Sequence, residues 1–288
     1  MHKLSFASPA RLLAALLPVC LIAAAAAQNP SASPAAPAKQ NPTKPSPNEE
    51  FLAKAGKLYY STAKTGLNGF ACAVHPDWHT LFVSANKGAT VADNDPRVVL
   101  LKTVKITLHG QLKGSSTLDW NQAANPAKPL DQDSTTMLDG MHSATNQTLQ
   151  GFMQFWTPFV DGSVIPADSE GLEIAQTENG HRIHVDESGT SVTELFDNSL
   201  ILQHFDVVSG GTTVNFAPSY KPTQKGLLVS AFQAHIQPPG VAPDKATEMH
   251  VEIEYQTLDG SPIPAKINID VAHSGTFNFV FDGCTVNP

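Results

Sequence analysis

Val251-Glu252-Ile253-Glu254-Tyr255 alternates strictly between apolar and acidic side chains. Successive side chains of a β-strand point to opposite faces, so this run is a strand with one wet face. The same beat returns in Ile267-Asn268-Ile269-Asp270-Val271 and in Phe277-Asn278-Phe279-Val280-Phe281. Asp259-Gly260 lies between the first two runs and Ser274-Gly275 between the last two, both two-residue hairpin signals. Upstream, Ile183 and Val185 alternate with polar residues, Ile201, Gln203, Phe205 and Val207 do so less cleanly, and Leu228, Phe232, Ala234 and Ile236 share one face. Asn179-Gly180, Ser188-Gly189 and Gly210-Gly211 separate these segments. From Gly171 onward the chain therefore reads as an antiparallel meander of eight or nine strands, apolar on one face.

The first half carries the helices. Ser46-Pro47-Asn48-Glu49 is a capping box with Pro at the first helical position. Phe51, Ala55, Leu58 and Tyr59 follow at helical spacing, and Gly66 is expected to end that helix. A strand follows around Leu67 to Val74, then a short helix over Asp77 to Phe82. Arg97 to Leu112 reads as one long strand through Val99, Leu101, Val104, Ile106 and Leu108, pairing with Ser116 to Trp120 across Lys113-Gly114. Residues 132–159 read as a helix whose apolar stripe holds Thr148, Phe152, Phe155, Trp156 and Phe159.

Of the 288 residues, 41% are apolar and 15% charged, and the net charge is −8. A basic nucleic-acid-binding surface is excluded as the default. Lys3 and Arg11 precede an apolar run, Leu12 to Ala27, that closes on small residues. This is the pattern of a secretory signal peptide cleaved between Ala27 and Gln28. Residues 1–27 carry two cations and no acids, so a chain without them would hold 16 cations against 26 acids, or −10. Residues 28–46 contain five prolines and no aromatic, Leu, Ile or Val, and are expected to form a disordered linker. Residues 47–288 are expected to fold as one domain in the periplasm or outside the cell.

With Cys20 leaving in the signal, Cys72 and Cys284 remain as an even pair in an oxidising compartment. We expect one disulfide between the first strand and the last. Closing a loop of about 210 residues should stabilise by roughly 3–5 kcal/mol.

The fold class expected is α+β: a large curved antiparallel sheet of about 9–11 strands with about three helices over its concave face. Three helices are few for so much apolar sheet, which must curl around a cavity or close on itself as a β-sandwich. In the first case Phe152, Phe155 and Trp156 would face Phe232, Tyr255, Phe277, Phe279 and Phe281 across the hollow. These eight are the candidate ligand-binding residues. The segments Gly189 to Phe205, Tyr220 to Leu228, His250 to Pro264 and Thr276 to Phe281, in this order of elements, resemble the periplasmic lipoprotein-carrier and lipoprotein-sorting superfamily. The resemblance implies a half-open barrel with a helical lid that binds a hydrophobic ligand or a lipidated protein.

Catalytic motifs are missing from the sequence: neither Gly-x-Ser-x-Gly nor His-Glu-x-x-His occurs, and there is no phosphate loop. His181 and His184 fall on opposite strand faces, and Pro76 separates His75 from His79. Asp131-x-Asp133 lacks the glycine and the final glutamate of a calcium loop. Glu252 and Glu254 read as a solvated outer face. We therefore expect a non-enzymatic monomer without metal or cofactor, binding a hydrophobic ligand and, in a further role, an envelope partner. The alternatives are a structural or interaction domain with a closed core, and a hydrolase whose residues follow no known pattern.

Overall fold

The computed structural model describes residues 45–62, 65–85, 90–122, 131–162, 164–272 and 275–286. The signal-peptide expectation and all but the end of the linker lie outside these residues. The elements are α1 (Pro47–Gly56), β1 (Gly69–Pro76), α2 (Trp78–Ala85), α3 (Pro96–Leu101), β2 (Lys105–Gln111), β3 (Thr117–Asn121) and α4 (Gln132–Asp161). Nine strands follow: β4 (Glu173–Thr177), β5 (Gly180–Glu187), β6 (Thr190–Asp197), β7 (Leu202–Ser209), β8 (Thr212–Thr223), β9 (Gly226–Gln237), β10 (Thr247–Leu258), β11 (Ser261–Val271) and β12 (Gly275–Val286).

All twelve strands join one sheet in the order β3-β2-β1-β12-β11-β10-β9-β8-β7-β6-β5-β4. The sheet is antiparallel throughout and open, with β3 and β4 as its edges, so the expected α+β half-barrel is the observed architecture. It has one strand more than the pattern suggested. The meander after Gly171 contains nine strands, the upper end of the eight or nine expected. Gly210-Gly211 and Asp259-Gly260 have positive φ at both central positions, as tight hairpins require.

Two helical expectations need correction. The first helix stops at Gly56, well before Gly66. Its capping box is present, with Ser46 Oγ accepting from Glu49 N. Beyond the helix the chain runs alongside β9 instead: Tyr60 N donates to Leu227 O at 2.8 Å and Leu227 N to Leu58 O at 2.7 Å. Gly226 permits the approach, because a Cβ there would lie 2.7 Å from the carbonyl carbon of Tyr59. Second, Arg97 to Leu112 is a helix followed by a strand. Pro96 fills the first helical turn and the Asp95 side chain accepts from Arg97 N. Val98 and Leu101 are fully buried while Val99 is 50% exposed, a spacing of three that no strand produces. Apolar alternation through Val99 and Leu101 concealed this turn. Arg97 also holds the Asp95 carboxyl down at about 2, chiefly through their side-chain hydrogen bond.

The disulfide Cys72–Cys284 closes a separation of 212 residues. It crosses neighbouring strands: the β1–β12 register shifts between Ala71 and Ala73, so Cys72 opposes Gly283 and Cys284 together. The N-terminal strands β1 to β3 are thereby fastened to the C-terminal strand.

The core lies between the concave face and the helices. α2 covers β12, where Ser84 Oγ accepts from Thr276 N at 2.9 Å. α4 lies along the hollow and buries Leu138, Met141, Leu149, Phe152, Phe155, Trp156, Phe159 and Val160.

Candidate functional site

The 30-residue helix α4 positions the site. Asp131 caps its start by accepting from Ser134 N at 2.7 Å, and Gly162, at φ +89°, ends it. Asp131, the first residue of the calcium-like pair, thus serves as a helix cap. Trp156 is fully buried and anchors the helix. Its Nε1 donates to the Tyr255 hydroxyl at 3.0 Å, which donates to Val229 O at 2.6 Å. Burial, the largest influence, pushes the Tyr255 phenol well above its ordinary range.

One residue earlier, Phe155 packs its ring 3.9 Å from Phe232 and 4.9 Å from Phe216, measured between centroids. Beside it an apolar cleft of about 40 Å³ opens between α4 and the inner faces of β8 to β11. Phe152, Phe155, Phe216, Phe232, Val251 and Ile269 form most of its wall, and Gly151 lies on its helical side. Glycine in a helix interior costs about 1 kcal/mol relative to alanine. At Gly151 it leaves the helix without a side chain where the cleft lies.

Three of the eight candidate residues, Phe152, Phe155 and Phe232, line this cleft. Trp156, Phe277, Phe279 and Phe281 are buried core residues outside its wall, and Tyr255 holds Trp156. Phe216, Met249, Val251 and Ile269 complete the wall from the strands. Their inward faces follow from alternation, but which inward residues border a cleft depends on how α4 crosses the sheet.

A second feature of the concave face was not singled out from the sequence. Glu194 sits on β6 between Val192 and Phe196, both buried. Its Oε2 is enclosed without a hydrogen-bond partner, and burial pushes the carboxyl up to about 8. Tyr59 and Tyr220 stand beside it, their rings 5.4 Å apart. Tyr59 accepts from Leu202 N at 2.6 Å, and burial raises its phenol to about 12. The Tyr220 hydroxyl is near enough to Tyr59 to feel it but makes no hydrogen bond of good geometry. Phe51 of α1 stacks 4.4 Å from the His181 ring, closing this end of the hollow.

The outer face is polar. His75 meets Asp282 at 3.1 Å, His109 meets Asp119 at 3.0 Å, and His184 meets Asp186 at 3.1 Å. Exposed pairs of this kind contribute little. Glu252 and Glu254 are exposed there, Glu254 3.3 Å from Lys266. His181 and His184 point to opposite sides, toward Phe51 and Thr193 respectively. Among the described residues no three His, Cys, Asp or Glu side chains gather as metal ligands. Nor is any described helix long and apolar enough to cross a membrane.

Fold and cleft together define an open antiparallel half-barrel with a helix laid along its apolar hollow. In comparisons with known families and curated proteins, no family model matches the chain and no curated protein matches it.

Proposed function

We propose that the protein is an exported, non-enzymatic binding or carrier protein that holds the apolar chain of a lipid or lipidated partner between α4 and the concave sheet. The observation that carries this reading is the cleft itself, walled mainly by aromatic and aliphatic side chains, with Gln147 and Thr148 its polar members and no charged residue among them. Sites for small apolar molecules are concave and mostly apolar in this way. The disulfide suits an oxidising compartment, in keeping with export by a signal cleaved between Ala27 and Gln28 into the periplasm. The resemblance to lipoprotein carriers supports the same reading.

At about 40 Å³ the cleft admits only the end of a chain, so α4 must move outward to admit more. Each buried CH₂ contributes roughly 0.8 kcal/mol, so ten contribute about 8 kcal/mol. That gain is set against the apolar contacts α4 gives up and the Trp156–Tyr255 hydrogen bond, worth about 1 kcal/mol. Reversible capture and release requires these opposing contributions to be comparable.

The small volume also favours a second reading, an interaction domain of the cell envelope whose core is closed. Native mass spectrometry of the protein purified from its host decides between them, together with titration by a fluorescent fatty-acyl probe. Co-purified lipid and saturable 1:1 probe binding are expected. A dry protein that ignores the probe overturns the carrier reading in favour of the closed domain.

A further inference from the structure

Two polar groups stand at the cleft with nothing to bond. Thr148 and Gln147 both line it. Thr148 is 5% exposed, and its Oγ1 has no hydrogen-bond partner. The enclosed Oε1 of Gln147 also has none, while its Nε2 reaches Ser143 Oγ at 3.0 Å. A buried, unpaired polar group costs about 1–3 kcal/mol. A helical threonine could relieve itself by bonding back to the preceding turn. Thr135 and Thr136 of the same helix do so, each bonding the carbonyl four residues back at 3.0 and 2.9 Å. Thr148 does not.

We propose that Thr148 and Gln147 form the head-group subsite of the cleft and select an amphiphile with a single apolar chain and an uncharged head that both donates and accepts, such as a primary amide or a hydroxyl. This rests on the proposed binding function and adds its ligand class. Once α4 has moved outward, the chain lies on Phe152, Phe155, Phe216 and Phe232, and the head takes up the free capacity of the two side chains. A hydroxyl and a carboxamide can each give and receive a hydrogen bond, so together they complement a head with the same dual character. Charged heads are selected against by what the wall lacks. No Lys, Arg, Asp or Glu lines the cleft, so a carboxylate or an ammonium would be desolvated there without a counter-charge. Polar groups left unpaired discriminate strongly between ligands of one shape.

The test uses three eight-carbon probes, octanamide, octanoate and octylammonium, titrated calorimetrically into the whole protein at pH 7.5. Octanamide is expected to bind at least tenfold more tightly than either charged probe. In the Thr148→Val/Gln147→Leu double variant that preference should fall below about twofold while octanamide still binds. Circular dichroism checks that the variant is folded, and the single Thr148→Val variant, close in shape, serves if it is not. Octanoate or octylammonium binding as well as octanamide overturns the head-group assignment alone, as does a preference that survives the substitutions. If none of the probes binds and the fluorescent acyl probe also fails, the carrier reading falls and this inference with it.

Discussion

Trp156 and Tyr255 are joined by a hydrogen bond of 3.0 Å across the hollow, and the same tyrosine hydroxyl donates in turn to Val229 O at 2.6 Å. One phenol therefore ties α4 to both β9 and β10. Removing it in Tyr255→Phe keeps the ring but leaves the fully buried indole N–H without an acceptor. The expected loss is about 1–3 kcal/mol, measured by urea unfolding. If the helix is the movable cover, the variant should also take up the fluorescent acyl probe faster in stopped-flow mixing. An unchanged uptake rate would separate this bond from the opening motion.

Glu194 should make stability fall as pH rises. Its carboxyl is held up at about 8 in the folded chain, against an ordinary value of 4.5. Between these values the folded state keeps a proton that the unfolded state has released. The stabilisation is therefore greatest below 4.5 and is lost as pH rises toward about 8. The slope is about 1.4 kcal/mol per pH unit for one proton. Urea unfolding at pH 5, 6, 7 and 8 should show the decline. Glu194→Gln should flatten it, and an unaltered slope in that variant would locate the effect elsewhere.

Cys72 and Cys284 tie β1 to β12, so their loss should act first on the β1–β3 edge. The Cys72→Ala/Cys284→Ala variant is expected to lose roughly 3–5 kcal/mol. Hydrogen exchange should show the largest loss of protection in β1 to β3, with β5 to β9 little changed. Uniform loss across the sheet would mean that the bridge acts only on the unfolded chain.

The sheet was legible because its strands alternate and Gly-containing turns punctuate them. Alternation also misled at Val99 and Leu101, where the signal that mattered was Asp95-Pro96, a cap and a helix-opening proline. The helix after Ser46 ended early because Leu58 and Tyr59 are held by Leu227, a residue 168 positions beyond Tyr59 that no local pattern reveals. The cleft was legible as a type of surface and only partly as residues. Phe152 and Phe155 belong to a helical stripe readable from spacing. Glu194, by contrast, shares the inward parity of Val192 and Phe196, but a charge at such a position reads as an exception to the pattern, and only the cover from Tyr59 and Tyr220 shows it enclosed.

Phe155 offers a final test, because it plugs the hollow that a ligand would need. It is 7% exposed and packed on Phe216 and Phe232. Phe155→Ala should cost about 3–5 kcal/mol in the free protein. Phe279→Ala, more deeply buried and outside the cleft wall, should cost at least as much. The two differ in what a ligand can restore. A chain entering the space left by Phe155 replaces lost contacts, so octanamide at saturation should recover more stability in Phe155→Ala than it adds to the parent protein. Phe279→Ala should gain no more than the parent. Equal ligand gains in all three proteins would show that the hollow beneath α4 is core packing and that apolar chains bind elsewhere.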